Sequence, residues 1–381
     1  METNQLSTAE YWHGDGIDIR LNPKLRFGVD GLDKFLLEEQ GIGSAVVVAT
    51  SGSSGEAKFV VLKKSALLAS AAMVNDWCDV TDSDIWWGGL STFHVGGLGI
   101  FARSVLSGSR VVIPESMEWN RGAGYAESLE KSGATLTSLT PVHLHDLVAS
   151  GTRSPESLRG LFLGGGRISK RLVERATDLG WPVWPTYGMS EAGSQIATSF
   201  DGANKLWSSA GLPVLPGWNV RINETSGVLE IRGKALFSGY ATKNDGHWTF
   251  REAAPDNGFF ATSDVVTLRD DPENRRPSLL RFCHRVDDLV KVLGELVSLS
   301  KVESLAGSDW EGVVVIPLPD ARLGTRLVAV CEGPRENSDQ WLELYNRTCP
   351  RIEQIAEVRA VSELPRTEIG KVDRKKLESL F

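Results

Sequence analysis

Thr50-Ser51-Gly52-Ser53-Ser54-Gly55-Glu56-Ala57-Lys58 follows directly on the apolar run Ala45-Val46-Val47-Val48-Ala49. The apolar run reads as a buried strand that empties into a loop of small, hydroxylated and glycine residues, closed by a lysine. Such a loop suits a polyanion. Glycine lets the backbone approach a phosphate closely, backbone N–H groups and serine hydroxyls supply donors, and the lysine adds a point charge. It is not a Walker A loop, because no Gly-Lys-Ser/Thr triplet ends it and Phe59-Val60-Val61-Leu62 resumes as a strand. A flexible surface turn has a similar composition, so the rest of the chain must decide between the two.

Outward from this loop the chain alternates strands and helices. Residues 1–43 read as an irregular opening with one short helix, Val29 to Glu39. Lys64 to Asp76 reads as a helix, Ile85 to Leu90 as a strand, Gly97 to Leu106 as a helix and Arg110 to Ile113 as a strand. A helix over Ala123 to Lys131 and a strand over Leu136 to Leu139 follow. Then come a further helix, a strand at Gly160 to Leu163, a helix at Lys170 to Leu179 and a strand at Val183 to Thr186. This alternation indicates parallel α/β layers. Past Gly211 the texture changes to short strands and turns (Val220 to Ile222, Val228 to Ile231, Asp264 to Leu268), which suggests an antiparallel sheet or distorted barrel. A polar, proline-flanked loop spans Asp270 to Pro277. Beyond Arg285, strands at Gly312 to Ile316 and Leu327 to Cys331 and a helix at Ser338 to Arg347 make a small α+β domain.

Composition bounds the function. A chain of 381 residues exceeds one ordinary core, so two or more domains are expected. A 41% hydrophobic and 24% charged composition is that of a soluble globular protein. No apolar run approaches the roughly 18 residues that a membrane span needs, and the N-terminus has no secretory pattern. Cys78, Cys283, Cys331 and Cys349 are scattered without a Cys-x-x-Cys pair, so they read as reduced, mostly buried thiols of a cytoplasmic protein. A net charge of −8 argues against nucleic-acid or anionic-membrane partners.

Chemistry gathers in five further places. Phe93-His94-Val95-Gly96-Gly97, between a strand and a helix, either sets an imidazole over a cavity or caps the helix. Gly164-Gly165-Gly166, after the strand Leu161-Phe162-Leu163, either allows close approach of a flat ligand or makes a tight turn. Tyr187-Gly188-Met189-Ser190-Glu191 offers a stacking face for a nucleobase and, in Ser190 and Glu191, hard oxygen ligands of the kind magnesium takes beside phosphates. Thr262-Ser263-Asp264 puts a carboxylate in a turn, where it could accept from a ribose diol. Arg285-Val286-Asp287-Asp288 is a charged bend, either a hinge or a solvated turn.

In this order the pieces resemble the adenylate-forming superfamily of acyl-CoA synthetases, peptide-synthetase adenylation domains and luciferases, from Thr50 to the C-terminus. Residues 50–58 resemble its Thr-Ser-Gly-Thr-Thr-Gly-x-Pro-Lys loop, and Tyr187 to Glu191 its Tyr-Gly-x-Thr-Glu block. Thr262-Ser263-Asp264 resembles its Thr-Gly-Asp, and Arg285 to Asp288 its hinge. Pro365-Arg366-Thr367-Glu368-Ile369-Gly370-Lys371-Val372 resembles the closing Pro-x-Thr-x-x-Gly-Lys-Val.

The resemblance implies a large N-terminal domain over residues 1–284, built of layered α/β sheets with a distorted barrel-like part. A hinge at 285–290 pivoting on Asp287 and a small mobile α+β domain over 291–381 would follow. It also implies ATP, Mg²⁺ and coenzyme A as cofactors. Residues Thr50, Ser51, Gly52, Ser53, Ser54, Gly55 and Lys58 would grip the phosphates. Tyr187, with Gly188 and Met189, would face adenine beside Gly164, Gly165 and Gly166. Ser190 and Glu191 would hold the metal, and Asp264 and Arg285 the ribose. Lys371 would assist adenylation, and Gly294 would leave room for pantetheine after rotation of the small domain.

Among the superfamily, Phe93 to Leu98 and Tyr187 to Ile196 are most similar to the o-succinylbenzoate–CoA ligases of menaquinone biosynthesis. That resemblance places a dicarboxylate aromatic acid near His94, Ser194 and Gln195, and implies His94 and Glu191 as catalytic residues beside Lys371. Other aryl- or fatty-acyl-CoA synthetases, and adenylation enzymes that load a carrier protein, share the same motifs, and a homodimer is compatible with them. Two departures stand out: only about fifty residues precede the phosphate loop, fewer than the superfamily carries, and Glu56-Ala57 replaces the usual x-Pro.

Overall fold

The computed structural model describes residues 3–23, 28–50, 58–114, 119, 122, 124–200, 210–254, 258–271, 276–309, 312–320, 322–334, 336–366 and 372–381. The chain divides into two compact units. The first holds Met1–Thr225, Leu229–Thr262 and Leu268–Arg281; the second holds Ser226–Val228, Ser263–Thr267 and Phe282–Phe381.

The elements run in the order α1 (Ala9–His13), β1 (Gly16–Arg20), α2 (Leu32–Lys34), β2 (Ser44–Thr50), β3 (Lys58–Lys63), α3 (Lys64–Trp77), β4 (Ile85–Trp87), α4 (Val95–Ser107) and β5 (Arg110–Val112). Next come α5 (Tyr125–Ser132), β6 (Leu136–Leu139), α6 (Pro141–Ala149), β7 (Gly160–Leu163), α7 (Lys170–Asp178), β8 (Val183–Met189) and β9 (Ser194–Thr198). Short strands follow: β10 (Leu212–Pro213), β11 (Asn219–Ile222), β12 (Val228–Arg232), β13 (Gly239–Asn244), β14 (His247–Glu252), β15 (Phe260–Asp271) and β16 (Arg276–Arg285). The chain ends with β17 (Leu289–Val292), β18 (Glu295–Ser298), α8 (Leu299–Asp309), β19 (Val314–Asp320), β20 (Gly324–Glu332), α9 (Ser338–Thr348), β21 (Ile355–Val361) and α10 (Arg374–Glu378).

A six-stranded sheet of order β5-β4-β6-β7-β8-β9 organises the first unit. All its pairings are parallel except the last, β8 with β9. Strands β6 and β7 are buried along their whole length, as strands covered on both faces should be, although β6 carries the polar Thr137 and Ser138. Leu129, Leu144, Leu147, Leu172, Val173 and Trp181 pack with Leu161 and Leu163 into one core cluster. The helices start where local chemistry starts them. Pro141 opens α6, and the Ser169 hydroxyl caps α7 by accepting from the Leu172 N–H.

The strand order matters for function. From β4 the chain crosses through α4 to β5 on one side, then returns through α5 to β6 on the other and continues to β7 and β8. The direction of winding therefore reverses between β4 and β6. In open α/β sheets ligands bind in the crevice outside the carboxyl ends of the strands at such a reversal.

A second sheet, β1-β2-β3-β13-β14, is built from both ends of the unit's sequence, and a third has the order β10-β16-β15-β12-β11. In the second unit, β19, β20 and β21 form a sheet beside the β17–β18 hairpin. Its core includes Val302, Val315, Leu327, Ala329 and Tyr345.

The α/β class expected from the sequence is observed, with local corrections. The opening is less irregular than expected, since β1 pairs in parallel with β2. Five residues at a sheet edge are too short a run to stand out in sequence. The expected helix at Val29 to Glu39 begins only at Leu32, behind Gly31 in the left-handed region. The strand expected over Ile85 to Leu90 stops at Trp87, so residues 88–93 separate it from His94. The strand expected from Asp264 to Leu268 is longer than expected, running from Phe260 to Asp271, so that Thr262, Ser263 and Asp264 all lie within β15. Cys78 and Cys331 are buried as expected, but Cys283 and Cys349 are only half-buried.

Candidate active site

The two ends of the glycine–serine loop are held together: Thr50 and Lys58 are opposite partners in the antiparallel β2–β3 pair. Ser51, Gly52, Ser53, Ser54 and Gly55 between them lie outside the described residues. Lys58 is half-buried at the start of β3, so its backbone is fixed by the strand that the sequence already marked.

Three of the expected segments reach the carboxyl edge of the six-stranded sheet. Gly164, Gly165 and Gly166 follow β7, with Gly165 and Gly166 exposed. Tyr187, Gly188 and Met189 end β8, and Ser190–Ala192 is a single 3₁₀ turn that carries Glu191. His94 leaves the connection after β4 and stands before α4. Its backbone carbonyl accepts from the N–H groups of Gly97 and Leu98 at 3.1 and 3.0 Å. Its imidazole makes no capping bond and lies 4.7 Å, ring centre to ring centre, from Phe93. Of the two readings of His94, the helix is thus served by its carbonyl and not by its ring.

Gly188 is dictated by close approach. A Cβ placed there would sit 1.9 Å from the Ser194 carbonyl oxygen, where the β8–β9 register shifts between Tyr187 and Gly188. That contact lets the chain turn back immediately after Glu191. The Glu191 side chain accepts from the Tyr240 hydroxyl at 2.6 Å, and its carbonyl accepts from Phe237 N–H at 2.8 Å. Tyr240 sits on β13 opposite Val60 of β3, the strand that begins at Lys58. Glu191 is therefore tied to the strand that closes the phosphate loop.

Ser194 and Gln195 are buried in β9. The Ser194 hydroxyl accepts from Arg103 Nη2 at 3.0 Å, and Gln195 Oε1 accepts from the Thr198 hydroxyl at 2.5 Å. Arg103 was not anticipated. It is 1% exposed on α4, beneath Trp86 and Phe162, whose ring centres lie 5.5 and 5.2 Å from its guanidinium carbon. Its Nε has no hydrogen-bond partner among the described residues, and burial pushes its pKa down to about 10. A guanidinium with no carboxylate beside it among the described residues is costly to bury, and such cost concentrates at functional sites. One sequence signal points to it: Arg103 is the single charge in the otherwise apolar and small stretch Val95 to Ala102 and its flank.

At the reversal point, Thr140 follows β6 with its buried hydroxyl oxygen unpartnered among the described residues, and so does the buried Nδ1 of His143. His143 stacks at 4.3 Å on Trp119, and desolvation lowers its pKa from 6.5 to about 4. The neutral ring is the folded form, so protonation favours unfolding. The stability it withholds is intact above pH 6.5 and is lost as pH falls from 6.5 towards 4, by up to about 3 kcal/mol. In His143→Leu that part of the acid limb should be absent when urea unfolding is measured between pH 7 and 4. An unchanged pH slope would refute the assignment.

In the second unit, the Asp264 carboxylate accepts from Arg285 Nη1 at 3.0 Å, and Arg285 also forks onto Asp287 at 2.8 and 2.9 Å. Gly294 occupies the turn of the β17–β18 hairpin at φ +85°, after Leu293 at φ +53°. The hairpin by itself therefore explains a glycine there. Lys371 lies outside the described residues; the flanking Arg366 and Val372 are bridged to each other.

Among the described residues no three His, Cys, Asp or Glu side chains gather as a metal cage. The oxygen donors at Ser190 and Glu191 fit an ion such as Mg²⁺, which takes one or two protein oxygens and otherwise phosphate and water.

Known proteins resemble this chain over most of its length. A 2-succinylbenzoate–CoA ligase of Bacillus cereus (strain ATCC 10987) is 27% identical over 363 residues, covering 91% of this chain and 72% of the relative. One from Listeria monocytogenes serotype 4b (strain F2365) is 29% identical over 345 residues, covering 88% and 70%. The solved structure of o-succinylbenzoate CoA synthetase (MenE) from Bacillus subtilis, in complex with the acyl-adenylate intermediate OSB-AMP, superposes with a TM-score of 0.72. It is 25% identical, with 87% of this chain and 68% of that one covered. A variant of E. coli MenE with bound OSB-AMS gives a TM-score of 0.71 at 26% identity, covering 88% and 68%. Residues 41–241 match the family described as AMP-binding enzymes, more than half of the chain, and the chain belongs to that family.

Proposed function

We propose that this protein is an o-succinylbenzoate–CoA ligase acting in the cytoplasm. It would adenylate the acid with ATP, release pyrophosphate and pass the acyl group to coenzyme A. The observation that carries the substrate assignment is the buried Arg103–Ser194 pair. Because Arg103 donates to the Ser194 oxygen, the serine proton is left to be donated elsewhere. A fixed hydroxyl donor backed by a buried cation suits a second carboxylate, one that does not react.

In the first step a carboxylate oxygen of the acid attacks the α-phosphorus of ATP, the bond to the bridging oxygen breaks, and pyrophosphate leaves. Thr50 to Lys58 hold the leaving phosphates, Tyr187 stacks on adenine beside Gly164 to Gly166, and His94 borders the acid. Ser190 and Glu191 would hold Mg²⁺, which when bound neutralises phosphate charge. By resemblance, Asp264 and Arg285 take the ribose. Lys371 neutralises charge shared by carboxylate and α-phosphate. In the second step the thiolate of coenzyme A attacks the acyl carbonyl and AMP leaves. The small domain of residues 291–381 turns about Asp287 between steps, and Gly294 then borders the pantetheine arm.

The test is pyrophosphate release with o-succinylbenzoate, benzoate, octanoate and acetate, followed by assay for the thioester with free coenzyme A. Expected is a kcat/KM for o-succinylbenzoate about 100-fold or more above benzoate, since a buried polar site rejects an acid lacking the second carboxylate. Equal rates for the four acids would remove the substrate assignment. An acyl-adenylate that never becomes a thioester with coenzyme A would point to carrier-protein loading.

A further inference from the structure

We infer that Tyr240 is a positioning residue for the adenylation step: its hydroxyl sets the direction of the Glu191 carboxylate and so the metal affinity of the site. This rests on the reading that Glu191 is a metal ligand. Nothing in the motifs that marked the site includes residue 240, which lies 49 positions beyond Glu191.

Three observations carry it. The Tyr240 hydroxyl meets Glu191 Oε1 at 2.6 Å, a short bond of the kind made to an ionised acceptor. It occupies one oxygen and leaves the other to face a metal. Secondly, both ends of this contact are held rigidly. Phe237 N–H donates to the Glu191 carbonyl and Ser238 N–H to the Val61 carbonyl, each at 2.8 Å, while Tyr240 is in register with Val60. Thirdly, the ring is braced on Phe237 at 4.8 Å and Phe260 at 6.4 Å, with the Arg251 guanidinium 5.2 Å over its face. The tyrosine hydroxyl thus stands at a set point, and the carboxylate is set by it. A strand that shares its hydrogen bonds with the phosphate-loop strand also orients the metal ligand, so loop and ligand are held in one frame. Outer hydrogen bonds of this type govern ligand orientation and typically alter metal affinity 10- to 100-fold.

The test uses Tyr240→Phe, which keeps the ring and its packing. Mn²⁺ binding to the full chain is followed by its electron-spin resonance signal with a non-hydrolysable ATP analogue present. ATP binding is measured separately by calorimetry in EDTA. Expected is Mn²⁺ affinity weakened about 10-fold or more, a matching rise in the Mg²⁺ needed for half-maximal pyrophosphate release, and unchanged metal-free ATP affinity. Mn²⁺ affinity within twofold of the wild type overturns the inference. So does a parallel loss of metal-free ATP affinity, which would mean that the substitution damages the site generally. Glu191→Gln separates the underlying reading: if that variant binds Mn²⁺ normally, Glu191 is not the ligand, and the role given to Tyr240 falls with it for a different reason.

Discussion

Lys371→Ala should lower acid-dependent pyrophosphate release by about 10³-fold, equivalent to roughly 4 kcal/mol of transition-state stabilisation. Thioester formation from preformed acyl-adenylate and coenzyme A should stay within about threefold of the wild type. The first step brings a carboxylate against a phosphate, two anions whose charge is shared at the in-line transition state, and one ammonium can neutralise both. The second step joins a thiolate to an acyl carbonyl and has no such need. The residues on either side of this lysine are firmly placed. Arg366 and Val372 are bridged, the Asp373 carboxylate caps α10 through the Lys376 N–H, and Arg374 donates to the Val315 carbonyl and to Glu303. Removing a side chain beyond these anchors should leave the second unit folded. Equal loss in both half-reactions would show that Lys371 is structural, or that one arrangement of the chain serves both steps.

Among the described glycines, Gly188 is where an added methyl meets the closest neighbour, so Gly188→Ala should be severe. The added methyl would lie 1.9 Å from the Ser194 carbonyl oxygen and 2.8 Å from the Gln195 Cα. These are backbone atoms that cannot rotate away, so β9 must move. A loss of about 3 kcal/mol is expected, seen as a lower urea midpoint with the same slope. Activity should fall further than stability explains, about 100-fold under conditions where the protein stays folded. The displaced segment carries Ser194, and Glu191 lies between the clash and that serine; small misplacements at reacting groups are expensive. Gly28→Ala is the control, since a Cβ there meets nothing within 4 Å. Equal midpoints for the two variants would refute the account.

Most of the parallel sheet was legible in the sequence because its signals are local. Gly160–Leu163 is a short apolar run, Leu136–Leu139 a short run bounded by leucines, and the helices of this region bury residues at helical spacing. What was missed depends on distant partners. Strand β13 is not among the short strands that the sequence marks after Gly211. Nothing in its own residues says that it pairs with β3, some 180 positions earlier. Thr262-Ser263-Asp264 is turn-like in isolation, so the sequence marks a strand only from Asp264 onward; β15 runs through all three residues from Phe260.

The site divides in the same way. Motif and spacing were enough to locate the Thr50–Lys58 loop, the Tyr187–Glu191 block and the adenylate-forming resemblance, because backbone approach to phosphate demands small residues in consecutive positions. Arg103 and Tyr240 were out of reach. A lone arginine on an apolar helix and a tyrosine in a short strand are ordinary in sequence. Their meaning comes from burial against the Ser194 hydroxyl in one case and from a 2.6 Å contact with Glu191 in the other. The sequence by itself determined the chemistry on offer and the layered α/β class, since both are written in contiguous residues. Only the tertiary structure decided that Thr50 and Lys58 face each other, where the winding reverses, and which distant side chains hold Ser194 and Glu191 in place. The first is a register between neighbouring strands, and the others come from contacts between segments 49 to some 180 positions apart, which no local pattern encodes.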